Sequence, residues 1–280
     1  MAGGTFLPAP NGDIYVARWV PDREITATVL IVPPFAEEMN KCRPMLALTA
    51  RLLAREGFQV LAPDLVGTGD SAGEFRDARL DHWRADLATV ADWAARDGAP
   101  VTRLVGMRFG ALLALELAAS LPGPLRIALW QPVASGQLQL TQFLRLRVAG
   151  ALLAGAILEG GRAAEKGAES VASLTAELKA GKVFEVGGYE LSPGLAADLQ
   201  GPEIRQLAPP PDTSLRWFEV GAGESPELSR VAADRLRDWV AAGVPAEGIA
   251  LAGDSFWNTV ELTTCPALAE QTARFLASAA

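Results

Sequence analysis

The chain has 280 residues, half of them hydrophobic, and a formal net charge of −8. That is enough apolar material for one large domain with a substantial core, and the acidic balance argues against a nucleic-acid or anionic-membrane partner, a local basic patch aside. The two cysteines, Cys42 and Cys265, stand far apart, which suits a reducing cytoplasm better than a disulfide framework. The first residues lack the basic start and apolar run of a secretion signal. The longest apolar run, residues 148–158, falls short of the roughly 20 residues a membrane helix needs. These features predict a cytoplasmic protein with no membrane span.

In chain order, Ile14–Trp19 and Ala27–Val32 are β-branched runs that predict strands, with Pro21-Asp22 as turn material between them. Residues 33–38 (Pro-Pro-Phe-Ala-Glu-Glu) read as a loop, and residues 45–55 as a helix stopped by Gly57. A strand over 58–62 leads into the loop Asp64 to Ser71, punctuated by Gly67 and Gly69. Leu80, Trp83, Leu87, Val90 and Ala94 then form one apolar helix face. Next come an apolar run over 101–105, the turn Gly106-Met107-Arg108-Phe109-Gly110, and helical composition over 111–121. Strand, Gly-x-X-x-Gly and helix in that order make the nucleophile elbow of an α/β-hydrolase.

After a strand at Arg126–Trp130 the strand–helix alternation breaks. Residues 136–203 hold helical patterns at 140–158 and 163–179, the stretch 184–193 and a short helical piece, and are expected to form a helical lid. The alternation resumes with a strand at 215–220, a helix at 226–241, a strand at 248–252 and a helix at 266–279. The prediction is an α/β-hydrolase fold with a mostly parallel central sheet and helices on both faces. Residues 1–135 and 204–280 would form the core, with the lid inserted before the last two strands and the site at the carboxyl ends of the strands.

A serine hydrolase needs a nucleophile, a base and a group to orient the base. The nucleophile position holds Arg108, which can neither attack a carbonyl nor lose its proton near neutral pH. The loop Gly253-Asp254-Ser255-Phe256-Trp257-Asn258, where the base is expected, has no histidine; the single histidine, His82, reads as helix surface. Glu224 stands at the acid position, equally well explained as a carboxylate ahead of a helix. The standard mechanism is therefore excluded. The oxyanion positions persist as the backbone N–H of Phe109 and one from Phe35 or Ala36, with Met107 and Trp257 as neighbouring binding candidates. Asp64 and its loop read as turn formers, Cys42 as a packing residue and Ser135 as a turn serine or a nucleophile at the correct sheet edge. No spaced His/Cys cluster suggests a metal and no glycine-rich phosphate loop suggests a cofactor.

A cation at the start of a helix opposes the helix dipole, so Arg108 calls for a negative partner. Glu37 and Glu38 are the first candidates, Glu224 and Asp254 the next. The pair is either an ion pair that plugs a dead site or an arginine fork for a carboxylate or phosphate ligand.

The strings Val32-Pro-Pro-Phe-Ala-Glu-Glu-Met-Asn-Lys41, Asp64-Leu-Val-Gly-Thr-Gly-Asp-Ser-Ala-Gly73, Leu129-Trp-Gln-Pro-Val133, Thr141-Gln-Phe-Leu-Arg-Leu-Arg147 and Phe256-Trp-Asn-Thr-Val-Glu261 resemble the exosortase A system-associated hydrolase 2 family. The resemblance covers nearly the whole chain. It implies an α/β-hydrolase-superfamily protein in the cytoplasm of a Gram-negative bacterium, associated with PEP-CTERM sorting and exopolysaccharide genes. It supplies no substrate. Three readings stay open: a hydrolase of an ester, thioester or acylated glycan in which Glu37, Glu38 or Asp254 activates water; a non-catalytic binder of an acyl, anionic or glycan ligand; and a scaffold for another exosortase-system protein.

Overall fold

The computed structural model describes residues 2–97, 99–158 and 169–278. Its elements run β1 (Ala2–Leu7), β2 (Ile14–Trp19), β3 (Ala27–Val32), α1 (Glu37–Arg55), β4 (Phe58–Pro63), α2 (Leu80–Arg96), β5 (Val101–Met107), α3 (Gly110–Ala118) and β6 (Arg126–Trp130). There follow α4 (Gly136–Leu158), α5 (Val171–Lys179), β7 (Phe184–Val186), β8 (Tyr189–Leu191), α6 (Pro193–Asp198), β9 (Ser214–Gly221), α7 (Arg230–Ala241), β10 (Ala246–Ala252) and α8 (Pro266–Ala277). Eight strands form one sheet in the order β1-β2-β4-β3-β5-β6-β9-β10. The β1–β2 and β2–β4 pairs are antiparallel, and every pair from β4 across to β10 is parallel.

Period-two alternation in the central strands divides the apolar side chains between two cores. Leu30 and Val32 of β3, Leu104 of β5, Ile127 and Leu129 of β6, and Leu215 and Trp217 of β9 face α2, α3 and α7. Val29 and Ile31, Val105 and Met107, Ala128 and Trp130, and Phe218 and Val220 face α1 and α8. The segment inserted between β6 and β9 joins the first of these cores through Leu140, Phe143, Leu174, Phe184, Leu195 and Ile204. No helix among the described residues is long and apolar enough to cross a membrane.

Four expectations need correction. The sheet begins with β1, whose glycines disguise it in the sequence; it pairs with β2 along its whole length. Helix α1 begins at Glu37 rather than at residue 45, so Glu37 and Glu38 are its first turn and not part of a loop. It runs through Pro44, which lacks the N–H that would bond back along the helix. The buried stripe Glu38, Met39, Cys42, Met45, Leu46, Thr49 continues across that proline and holds the helix together by packing. The insertion carries the hairpin β7–β8 besides its helices. Helix α7 starts at Arg230, where the Ser229 side chain accepts from the Ala232 N–H, four residues later than expected. Of the expected helix at 163–179, residues 163–168 lie outside the described residues.

Helix α3 springs directly from the end of β5 and packs against the end of β3. A Cβ on Gly110 would meet the Pro33 carbonyl oxygen at 2.2 Å and that of Val32 at 2.7 Å. Gly110→Ala should lower the unfolding free energy by about 2–3 kcal/mol, since backbone on both sides must move. Gly150→Ala, in α4 with nothing within 4 Å of its Cβ position, should be neutral or raise it by about 0.5–1 kcal/mol. Urea titration of the two variants decides the comparison.

Candidate functional site

Arg108 sits between β5 and α3 with φ at +53°, a left-handed conformation that a long side chain rarely adopts. Its N–H donates to the Trp130 carbonyl at 2.9 Å and its carbonyl accepts from Ala111 at 3.1 Å, so backbone on both sides fixes the turn. Ala36 (φ +49°) after β3 and Gln131 (φ +43°) after β6 share this strain. Three such residues thus stand at the carboxyl ends of three adjacent strands, the kind of clustering found where the chain shapes a site.

The Arg108 side chain is 10% exposed and held by several partners. Nε donates to Glu38 Oε1 at 3.0 Å, Nη2 to Gln142 Oε1 at 2.7 Å and Nη1 to the Gln131 carbonyl at 3.4 Å. The guanidinium carbon lies 5.4 Å from the centre of the Trp257 ring. Four segments therefore converge on one cation: α1, α4, the turn after β6 and the loop after β10. Glu38, the partner expected from sequence, is 5% exposed and lies in the first turn of α1, where a carboxylate complements the helix dipole. The ion pair answers the unfavourable position of Arg108 at the start of α3. Burial raises the Glu38 pKa, while Arg108, above all, and Gln139 oppose the rise. Glu38 Oε2 is buried with no hydrogen-bond partner.

Glu37 is the second carboxylate of this turn. It is half-buried, beside Gly187 of the β7–β8 hairpin, and its Oε2 has no hydrogen-bond partner. Burial, and then the neighbouring charge of Glu38, push its pKa up to about 7, with Lys41 and Arg108 pulling the other way.

The other expected site residues divide. Phe35, Ala36 and Phe109 are buried beside the elbow; the Phe35 ring centre is 6.1 Å from that of Phe109 and 5.1 Å from that of Phe143 on α4. Only about 10 Å³ of space is enclosed among Pro33, Ala36, Met39, Trp83, Phe109 and their neighbours. Met107 belongs to the core beneath α1 and α8 with no exposure, which corrects its assignment as a ligand contact. Glu224 and Asp254 are exposed and neither pairs with Arg108, so the expectation that they balance it is corrected too. Both lie in exposed loops, while Glu38 comes from a buried helix turn.

The carboxylate that β9 does bury is Glu219. It accepts from the Ser229 N–H at 2.6 Å, the Ser229 hydroxyl at 2.7 Å and the Trp217 indole at 3.1 Å, which fixes the start of α7. Nothing in the local sequence marks it, since it alternates with apolar neighbours. Gln142, equally unforeseen, is one of several polar residues in the first half of α4, with Gln137, Gln139, Thr141, Arg145 and Arg147, and its spacing does not single it out.

His82 is half-buried on α2, four residues before Asp86, which anchors the loop after β4 by accepting from Val66 N–H at 2.8 Å. Cys42 is buried, and burial pushes its thiol pKa up, away from a nucleophile's range. Ser135 Oγ accepts from the Leu138 N–H at 3.2 Å at the start of α4. Asp64 closes its own loop, accepting from the Asp70 N–H at 3.0 Å and from Arg43 at 3.2 Å. A Cβ at Gly69 would fall 1.9 Å from the Asp64 carboxylate, so only glycine fits there.

Two stability predictions follow from these contacts. Arg108→Met should cost about 3–5 kcal/mol, because it leaves Glu38 buried without its cation, and adding Glu38→Leu should recover most of the loss. Urea unfolding of the single and double variants measures both. Folding raises the pKa of Glu37, so the folded chain holds this proton more tightly than the unfolded chain does, and the wild type should lose stability as pH rises from about 4.5 through 7. Between pH 5 and 8 it should lose about 2 kcal/mol relative to Glu37→Gln, less than the full transfer cost because solvent reaches a half-buried group.

The comparisons with known proteins agree on the architecture. The profile of the X-Pro dipeptidyl-peptidase (S15) family matches residues 13–140, from β2 through the elbow into α4 and just under half of the chain. No curated protein matches. Among solved structures, Est1E from Butyrivibrio proteoclasticus with ferulic acid bound superimposes with a TM-score of 0.61 at 14% identity, covering 97% of each chain. An alpha-beta serine hydrolase homologue from Coxiella burnetii gives 0.54 at 16%, covering 97% of this chain and 96% of that one. The esterase domain of a Rhodothermus marinus protein gives 0.58 at 14%, covering 99% and 96%. Sheet order, elbow and these likenesses together establish that the chain has the fold of the α/β-hydrolase superfamily.

Proposed function

We propose that the protein is a hydrolase of an ester, thioester or acylated glycan that works without a serine nucleophile. The observation that carries this reading is Glu37, a carboxylate with a pKa near 7 and a buried, unpartnered oxygen, beside the cation at the elbow. In this reading ionised Glu37 takes a proton from water as the water oxygen bonds to the acyl carbon. The carbonyl oxygen becomes an oxyanion, stabilised by the N–H of Phe109, an N–H of Phe35 or Ala36, and Arg108. Collapse of the tetrahedral species breaks the bond to the alcohol or thiol, which leaves with the proton held by Glu37. Substrate entry separates α4, and with it Gln142, from Arg108, so residues 136–203 act as the lid. The setting is the exosortase-associated one that the sequence resembles, in the cytoplasm and alongside another protein of that system.

One observation favours a second reading, non-catalytic binding: the Arg108 guanidinium is engaged by several partners and only about 10 Å³ is enclosed at the elbow. Turnover of a panel of p-nitrophenyl esters, acyl thioesters and O-acetylated sugars separates the two. The hydrolase reading expects a rate that rises with pH through about 7, a loss of 100-fold or more in Glu37→Gln, as is usual for a general base, and a comparable loss in Arg108→Ala. Equal rates in wild type and both variants overturn it. No turnover together with a ligand-dependent rise in Tm establishes the binding reading.

A further inference from the structure

At the opposite edge of the sheet from Arg108, three neighbouring strands each carry an arginine near their amino ends. Arg103 of β5 stands opposite Arg126 of β6, and Arg216 lies on β9, the next strand. Burial together with the neighbouring guanidinium lowers the pKa of Arg103 and of Arg126, as expected where like charges are brought together out of water.

Part of this charge has a structural explanation. Arg103 Nε donates to the Leu276 carbonyl and Arg126 Nη1 to the Phe275 carbonyl, both at 3.0 Å, so these two complement the carboxyl end of α8. Arg216 lies on β9, and Arg274, in the last turn of α8, points its exposed side chain outward. Arg216 stacks on the Phe275 ring, 4.9 Å from its centre, and pairs with the largely exposed Glu247, while its Nε is buried with no hydrogen-bond partner. Arg274 is exposed on α8, with no ion pair among the described residues. A groove of about 500 Å³ opens here, lined among the described residues by Arg126, Arg216, Arg274, Ser214, Ser278 and one acid, Glu247. Among the described residues this concave surface carries Arg216 and Arg274 against one carboxylate, on a chain whose net charge is −8.

We propose that this groove binds a phosphate-type oxyanion, held by the donor forks of Arg216 and Arg274 with the Ser214 hydroxyl as a further donor. Planar guanidinium forks match the oxygen spacing of phosphate, and an apolar wall such as Phe275 strengthens the attraction by excluding water. The groove suits a small ligand, not a nucleic-acid duplex, and it is separate from the elbow at the other end of the strands.

The test is thermal unfolding in potassium phosphate, in glycerol phosphate and in potassium chloride matched for ionic strength. The expected result is a rise in Tm of several degrees at millimolar phosphate over chloride, lost in Arg274→Gln and in Arg216→Gln and kept in Arg108→Gln. A larger rise with glycerol phosphate marks the ligand as a phosphate ester, and a larger rise with phosphate marks it as the free ion. Arg274 is exposed, so Arg274→Gln tests the groove even if Arg216→Gln fails to fold. Equal rises in chloride and phosphate, unchanged responses in Arg274→Gln, or loss in Arg108→Gln alone would overturn the proposal.

Discussion

An arginine at the turn between β5 and α3 has no neutral form to adopt, so its surroundings must supply negative charge or solvent. Burial removes the solvent, and Glu38 supplies the charge from the first turn of α1. Several otherwise odd features of the molecule follow from that demand. Helix α1 starts before its proline and brings a glutamate under the elbow; Gln142 of α4 turns its side-chain oxygen to the guanidinium; and Trp257, in the loop after β10, lies against the same cation. The strained φ of Ala36, Arg108 and Gln131 is tolerated because the strands behind them are packed on both faces and leave these turns little freedom.

Arg108 also lies where two cores meet. Glu38 comes from the α1–α8 side and Gln142 from the side that holds α2, α3, α7 and the insertion. Opening of the insertion alone would remove one hydrogen bond from the guanidinium and leave the ion pair in place. Movement of the insertion has its own cost, since Phe143 packs on Phe35 and Leu140 and Leu144 are buried in the same core.

Much of this was legible in the residues themselves. The strands β3, β5, β6 and β9 announce themselves by β-branched and apolar runs, and the elbow by two glycines four apart with arginine between them. The pairing of Arg108 with Glu37 or Glu38 was readable because loop and elbow end adjacent parallel strands, although the true partner is a helix-turn residue. What was not legible depends on tertiary contact. A proline hid the first turns of α1, because local propensity penalises it while packing of Met39, Cys42 and Met45 compensates. Two glycines hid β1, which is held by pairing with β2 and by the buried Leu7 at its end. The anchoring role of Glu219 and the contact of Gln142 require distant segments to meet, and no spacing rule encodes them.

The buried pair at the elbow also bears on how such a site changes over generations. A single change of Arg108 to serine would place a hydroxyl at the elbow but strand Glu38 as an uncompensated charge, and no histidine stands in the loop that holds Trp257. A single change of Glu38 would strand the arginine instead. Each member of the pair thus makes a change in the other costly, so a viable variant has to alter both at once. The arginine acts as a ratchet: with the charge buried and matched, single substitutions at either position are penalised and paired ones are not.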